Sequence, residues 1–292
     1  GEIAKAPAAQ APIAIRFEEV AAESGLRFEH DAGRSDRAWM PEIMGPGVTV
    51  FDADGDAIDD VLLVNGMPWP AERARGAVAT PSRLFRGLGD GRFEDVTARS
   101  GLGLVAYGVS ASAFDIDADG DRDVVFATTE GTRLFLNEGG GRFREDTAAR
   151  GASVPGWTSV LAPLDVDDDG DLDLFVAHYL VWSPGADEKL GCRTDGVRRD
   201  YCSPNLFAST SPVLLVNDGT GHFSDGTARA RLPRDATKAL GALTVDIDED
   251  GRLDLIVAND QVRGQAFLVG GDGVLTECAG RLGLAANEGG AA

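Results

Sequence analysis

One acidic pattern occurs four times in this chain of 292 residues, and it constrains the fold more than any other feature. Each copy has a short apolar segment, a run of alternating aspartates and a second apolar segment: FDADGDAIDDVLLV, FDIDADGDRDVVFA, LDVDDDGDLDLFVA and VDIDEDGRLDLIVA. The aspartate runs begin at Asp52, Asp115, Asp165 and Asp246, at unequal spacing. Insertions therefore separate otherwise equivalent units.

A second pattern follows each acidic one and completes the unit. Its copies start at Ser82, Thr132, Val213 and Ala266, and each reads as an apolar strand, a Gly-rich turn and another strand. Every unit is therefore predicted to contain four short strands and no convincing helix. Repeated four-stranded antiparallel units are the blades of a β-propeller. The sequence predicts an all-β propeller with blades at about 45–102, 108–152, 157–232 and 238–284.

A partial unit precedes the first blade. The segment IRFEEVAAESGLRFEHD, from Ile15, matches the end of the second pattern, RFEDVTARSGL. It is a candidate unpaired outer strand that closes the ring by completing the last blade. Four blades and one strand fit a ring of four or five blades, or part of a larger ring of up to seven. Residues 1–14 are predicted to be a flexible Ala/Pro-rich leader and 286–292 a tail, so the propeller spans 15–285.

The acidic loops have the composition of cation sites, because their aspartates stand at loop positions 1, 3, 5 and 9. These residues are Asp52, Asp54, Asp56, Asp60, Asp115, Asp117, Asp119, Asp123, Asp165, Asp167, Asp169, Asp173, Asp246, Asp248, Asp250 and Asp254. Carboxylates this close repel one another unless a hard cation lies between them, and calcium prefers such oxygen ligands. About four structural Ca²⁺ are predicted. Position 6 is Gly in three loops but Ala57 in the first, which is therefore expected to be the weakest site.

Long connections are expected on the face opposite the acidic loops, because propeller strands alternate in direction. One connection starts at Met67, and a longer insertion spans 178–211. All four tryptophans fall in or beside these connections, and Trp, Tyr and Arg often anchor partners. The candidate surface for a protein or glycan partner comprises Trp39, Trp69, Trp157, Trp182, Tyr107, Tyr179, Tyr201, Arg193, Arg198 and Arg199. The alternative is that the aromatics only pack the blades together and the arginines are solvated.

Charge and cysteine content narrow the possible functions. The chain has 48 acidic and 27 basic residues and a net charge of −21, which argues against nucleic acid and anionic membranes as partners. It contains no apolar run long enough to predict a transmembrane segment. Cys192 and Cys202 lie ten positions apart in a polar segment and are predicted to form a disulfide in an oxidising compartment. Cys278 is predicted to be a small buried apolar residue.

The repeated residues also resemble a known family. The DxDxDGxxD loops, followed by a strand, a Gly-rich turn and FxDVT, resemble the FG-GAP or VCBS repeats of integrin α-subunit propellers and of many bacterial secreted proteins. Segments FEEVAAESGLRFEHD, MPEIMGPGVTVFDADGD and DYCSP are similar to the cartilage acidic protein (ASPIC/UnbV) group. The resemblance covers about residues 15–285 and implies an extracellular or periplasmic calcium-binding propeller. This sequence departs from the group in two respects: it has fewer blades than the seven-bladed members, and no C-terminal domain follows its repeats.

A non-catalytic role is expected, because the chain has no HExxH, GxSxG or P-loop motif. His178, beside the long insertion, is the one histidine that deserves a test of catalysis, although a structural role is favoured. The resemblance implies binding to other macromolecules more readily than catalysis. Two alternatives stay open: an accessory subunit of a membrane-associated or cell-surface assembly, and a polysaccharide lyase or hydrolase that uses the loop face.

Overall fold

The computed structural model describes residues 16–233 and 237–286, so the predicted leader at 1–14 and the tail beyond 286 lie outside the described residues. The described part contains four four-stranded antiparallel sheets with their strands in chain order, as the repeats predict. The strands are β1 Val48–Phe51, β2 Asp60–Leu63, β3 Arg83–Gly87 and β4 Phe93–Asp95 in blade 1; β5 Gly108–Phe114, β6 Asp123–Thr128, β7 Gly131–Asn137 and β8 Phe143–Glu145 in blade 2; β9 Thr158–Leu164, β10 Asp173–His178, β11 Val213–Asn217 and β12 Phe223–Asp225 in blade 3; and β13 Ala239–Val245, β14 Asp254–Asn259, β15 Gln265–Val269 and β16 Leu275–Glu277 in blade 4.

The blades stack face to face in chain order, and apolar side chains fill each space between them. Strands β6 and β10 are buried along their whole length because each lies between two neighbouring sheets. Such strands carry continuous apolar runs, here DVVFAT and DLFVAH, instead of strict alternation. The largest buried side chains of the three interfaces include Leu62, Leu84 and Phe126 between blades 1 and 2, Phe114, Ile116 and Leu134 between blades 2 and 3, and Phe175, Leu255 and Phe267 between blades 3 and 4.

The described residues form an open arc of blades and do not form the closed four-bladed ring that the sequence allowed. Val48 and Val50 of β1 and Leu243 of β13 are each more than half exposed, although they stand on the inner strands of the first and last blades. The residues equivalent to Val48 in blades 2 and 3, Ala111 and Leu161, are partly buried and pack against the apolar core shared with the preceding blade. The first and last blades therefore each have one uncovered face within the described part of the chain.

The segment that precedes blade 1 does not complete the last blade, so that prediction was wrong. Blade 4 has its own outer strand, β16. The backbone of Gly25 instead lies against the Phe93 carbonyl of blade 1, where a Cβ would approach the oxygen to 2.5 Å. Gly101 and Gly151 make the same approach to the next blade, each with positive φ. The N-terminal segment thus packs against blade 1 in the same way as the segments after the outer strands of blades 1 and 2 pack against the next blade.

Short helices follow the outer strands of blades 1 and 4 and occur in other connections, a feature that the strand pattern did not predict. The helices are α1 Ala21–Ser24, α2 Pro70–Ala74, α3 Thr97–Ser100, α4 Pro184–Leu190 and α5 Ala279–Leu282, with 3₁₀ turns at Met40–Ile43 and Pro204–Leu206. In α1, α3 and α5 a single turn ends at a glycine in the left-handed conformation, which stops the helix. Helix α4 lies in the long insertion and is capped by the Ser183 hydroxyl, which accepts from the Ala186 N–H.

The predicted disulfide between Cys192 and Cys202 is present in the insertion, and Cys278 is free and buried, as predicted. None of the helices in the described residues has both the length and the apolar character needed to cross a membrane.

Candidate metal loops and the opposite face

Each acidic loop connects the first two strands of its blade, and its backbone curls back on itself. We number them loop 1 (52–60), loop 2 (115–123), loop 3 (165–173) and loop 4 (246–254). Positions 4 and 6 have positive φ in every loop; in loop 2 these are Ala118 at 60° and Gly120 at 93°. The position 1 aspartate accepts N–H groups from inside the curl, as Asp165 does from Asp168 and Gly170 at 2.8 and 3.0 Å. In loop 1 position 6 is Ala57 at φ 65°, a conformation that costs a non-glycine residue roughly 1–2 kcal/mol.

The position 9 aspartate has a role that the sequence analysis missed. Asp173 is fully buried and accepts the Val166 N–H at 2.9 Å and the Asn217 N–H at 2.8 Å, which ties loop 3 to the third strand of the blade. The same pair of bonds is made by each of its counterparts, Asp60, Asp123 and Asp254. Burial raises the pKa of Asp123 to about 7 and that of Asp173 to about 6 in the absence of a cation.

The carboxylates of each loop converge closely. Ligand oxygens of positions 1, 3 and 9 lie within 4.8 Å of one another in loops 1 to 3, and those of Asp246, Asp248 and Asp250 do so in loop 4. The predicted ligands at position 5 of loops 1 to 3, and Asp254 of loop 4, stand outside these closest groups. The sixteen predicted aspartates therefore form four clusters, each with three central members.

Several of the converging oxygens are buried without a hydrogen-bond donor in the described residues. They are Oδ1 of Asp54, Asp115, Asp117 and Asp167. Burying a carboxylate oxygen without a partner is costly, and a cation would remove that cost. Burial, together with the carboxylates of Asp119 and Asp169, also raises the pKa of Asp117 and Asp167 respectively. This donor set of hard oxygens fits calcium.

The following blade covers each of the first three loops. The side-chain amide of Asn137 donates to the Ala53 carbonyl of loop 1 at 2.9 Å, and that of Asn217 donates to the Ile116 carbonyl of loop 2 at 2.8 Å. The Gly-rich turn of blade 4 lies against loop 3, with Gly273 beside Asp167. Among the described residues no blade covers loop 4, and its Asp248 and Asp250 are exposed. Loops 1, 2 and 3 are therefore better enclosed than loop 4.

The four tryptophans lie together on the opposite face, as predicted, and form one aromatic cluster. Ring centroids are 4.9 Å apart for Trp39 and Trp69, 5.4 Å for Trp69 and Trp182, and 5.9 Å for Trp157 and Trp182. Most of the predicted partner-binding aromatics are buried, however: Trp39, Trp69, Trp157, Tyr107 and Tyr179. Trp182 and Tyr201 are partly exposed. These rings mainly pack beneath the long connections.

Two buried carboxylates that the sequence analysis did not identify hold this cluster in place. Asp187 in α4 accepts the Trp182 indole N–H at 2.8 Å, the Met40 N–H at 3.0 Å and an Arg199 guanidinium N–H at 2.8 Å. Glu42 accepts the Trp69 indole N–H at 3.1 Å. Arg199, predicted to face a partner, is thus largely engaged inside the fold.

The other predicted arginines and one further surface complete this face. Arg193 and Arg198 are exposed on the disulfide-linked part of the insertion. A groove of about 520 Å³ lies beside the aromatic cluster and is lined by Trp69, Tyr107, Trp182, Arg73, Glu130 and Arg133, among others. The pyrrolidine rings of Pro68, Pro70 and Pro184 also line it. This groove was not predicted because its lining comes from four separate connections.

Comparison with known proteins supports the repeat assignment. Residues 115–176, which run from loop 2 through the last three strands of blade 2 and into the second strand of blade 3, match the FG-GAP-like repeat family. No curated protein matches the chain.

Several solved structures are similar to this chain at low identity. An Agrocybe aegerita lectin, described as specifically recognising non-reducing terminal N-acetylglucosamine, is 16% identical with a TM-score of 0.39 and matches 78% of this chain. The V. cholerae biofilm matrix protein Bap1 is 15% identical with a TM-score of 0.38 and matches 80% of this chain. BBS1N, solved in complex with ARL6DN, is 11% identical with a TM-score of 0.42; 85% of this chain and 60% of BBS1N are covered. The chain spans 49% of the lectin and 30% of Bap1.

Proposed function

We propose that this chain is a calcium-stabilised, propeller-type binding or scaffold module that works outside the cytoplasm and has no catalytic role of its own. The observation that carries the proposal is the convergence of buried carboxylate oxygens without donors in loops of one repeated register. The FG-GAP-like match over two of those loops supports it. The disulfide supports an oxidising compartment, either extracellular or periplasmic.

The residues that would hold the ions are the position 1, 3 and 9 aspartates of the enclosed loops. Calcium, when bound, supplies the positive charge that offsets carboxylate repulsion. The chain does the rest: backbone N–H groups orient the position 1 carboxylate, and the position 9 carboxylate fixes the loop to the third strand. The loops would then brace the hairpins of each blade, and the opposite face would be held rigid for a partner.

The partner surface that fits best is the groove beside the tryptophan cluster. It combines the partly exposed ring of Trp182 with the guanidinium groups of Arg73 and Arg133, on a protein that is strongly acidic elsewhere. Aromatic rings next to arginine are typical anchors for protein partners, and flat rings also stack on sugars. The proposed partner is a protein or a glycan.

Direct titration tests the calcium binding. The chelator-treated chain is expected to bind several Ca²⁺ in isothermal titration calorimetry, with Mg²⁺ binding more weakly because it requires a smaller octahedral shell. Asp117→Asn should remove one ion, since it removes a charged ligand from the enclosed loop 2. Asp121→Asn, in the same loop but outside the cluster, is the matched control and should bind the full number. If the chain binds no calcium at millimolar concentration, the proposal fails.

A charge reversal tests the groove. Arg133→Glu is expected to weaken partner binding by at least about tenfold, because it puts a negative charge at the groove. Arg83 is the control: it stands at the equivalent position of blade 1 and pairs with Asp95 much as Arg133 pairs with Glu145. Wild type, Arg133→Glu and Arg83→Glu would be compared on a printed glycan panel and in co-purification in millimolar calcium. Equal retention of ligand by the two variants would show that binding occurs elsewhere.

A further inference from the structure

Blade 1 carries an arginine where the other three blades carry an apolar residue. The third and fourth strands of each blade are paired at three positions. In blade 1 the middle position of the third strand is Arg86, opposite Glu94. The counterparts of Arg86 are Leu136, Val216 and Leu268. Nothing in the strand pattern requires a charge there, so the arginine has to be explained by what it contacts.

Arg86 contacts two candidate metal ligands of loop 1 at once. Its Nε donates to Oδ2 of Asp54 and its Nη2 donates to Oδ2 of Asp56, which are loop positions 3 and 5. The other oxygen of Asp56 accepts the Ile58 N–H at 2.9 Å, so both oxygens of that carboxylate are engaged. The Arg86 side chain is about one-third exposed, and its guanidinium makes charge-assisted hydrogen bonds to both carboxylates.

Each arginine near another loop contacts a single predicted ligand. Arg150 approaches Asp117 of loop 2 at 3.6 Å, Arg229 approaches Asp167 of loop 3 at 3.3 Å, and Arg252 donates to Asp250 of loop 4. Arg150 and Arg229 follow the outer strand of their blade and Arg252 stands within loop 4, so none of the three is on a third strand. Loop 2 keeps two donor-free buried oxygens, on Asp115 and Asp117, and loops 1 and 3 keep one each, so loop 1 differs from loop 3 in its arginine and not in this count.

We propose that Arg86 is a built-in cation that neutralises loop 1, so that this loop does not take calcium in the concentration range in which loops 2 and 3 do. The inference rests on the proposed calcium binding. It means that, in the first of the four repeated sites, a side chain of the protein takes the place of the ion. A divalent ion in loop 1 would have to displace the guanidinium from Asp54 and Asp56 or tolerate its charge at close range, and either costs affinity. Ala57, which stands at position 6 in place of Gly, also lowers the calcium affinity expected for loop 1.

Counting bound ions in a double-mutant series tests the proposal. Arg86→Leu, which introduces the residue found in blade 2, is expected to bind one more Ca²⁺ than wild type at saturation below about 1 mM, by calorimetry and native mass spectrometry. Asp54→Asn should remove that extra ion in the Arg86→Leu background and leave the wild-type count unchanged. Arg83→Leu removes a charge from the same strand without touching loop 1 and should match wild type.

The outcomes separate this inference from the proposed function. The inference is overturned if wild type and Arg86→Leu bind the same non-zero number of ions, or if Asp54→Asn lowers the count in wild type. If neither protein binds calcium, the proposed calcium binding is overturned and the inference with it. Should Arg86→Leu fail to fold by circular dichroism, Arg86→Gln removes the charge with a polar side chain and carries the same expectation.

Discussion

Excess chelator is expected to lower the melting temperature of the chain by about 10–20 °C. At free calcium about 100-fold above the dissociation constant, each filled site adds about 2.7 kcal/mol to the free energy of unfolding. For a chain of this size, 1 kcal/mol corresponds to roughly 2–4 °C. Filling only loops 2 and 3, the enclosed loops that lack the Arg86 contact, accounts for the expected shift. Without the ion, the buried oxygens of Asp115, Asp117 and Asp167 have no partner and their charges repel.

Differential scanning calorimetry in calcium, in EGTA and in EGTA followed by excess calcium measures this effect. Full recovery in the third sample shows that the loss is due to the ion and not to aggregation. Magnesium in place of calcium should restore only a small part of the shift. A melting temperature that is the same in calcium and in EGTA would contradict a structural role for the ion, whatever the binding titration shows.

Repetition explains why so much of the fold and of the loops could be predicted. A single DxDxDG run is ambiguous, but four in one register, each followed by the same strand and turn, define the unit, its four strands and the clustered carboxylates. The residues within one loop lie close in sequence, so their proximity in space follows directly from a tight turn. The structure accordingly contains the predicted sheets and brings the predicted aspartates together.

Contacts between distant segments could not be predicted in this way. Asp173 accepts a hydrogen bond from the backbone N–H of Asn217, which is 44 residues further along the chain. The sequence does not show this contact, so Asp173 was predicted only as one more metal ligand. Asp187 lies in an insertion that looks polar and solvated, yet it is fully buried by the 3₁₀ turn at Met40. The tryptophans likewise read as exposed anchors, because the sequence does not show that two connections and the insertion fold over one another. Cross-blade packing decides each of these cases.

Asp173→Ala is expected to destabilise the chain by about 3–5 kcal/mol, with or without calcium. The substitution leaves the N–H groups of Val166 and Asn217 buried and unpaired, and each such loss costs roughly 1–3 kcal/mol. Asp167→Ala should behave differently. Asp167 contributes a ligand oxygen without a donor and a 3.3 Å contact with Arg229, whose guanidinium is well exposed, so the substitution should matter in calcium and little in EGTA.

Urea unfolding of both variants in calcium and in EGTA distinguishes the two roles of aspartate in this loop, hydrogen-bond acceptor for Asp173 and metal ligand for Asp167. Asp171→Ala, in the same loop but outside the carboxylate cluster, is the control for loss of an acidic side chain. If Asp173→Ala loses its effect in EGTA, position 9 acts only through the ion and its backbone bonds are secondary. If the effect persists while that of Asp167→Ala disappears, each loop combines a hydrogen-bonded brace, which holds the hairpin at all calcium concentrations, with a cation site that stiffens it further. If the Asp173→Ala effect is lost in EGTA, folding of the blade depends on calcium. If it persists, calcium adds stability to a blade that is already folded.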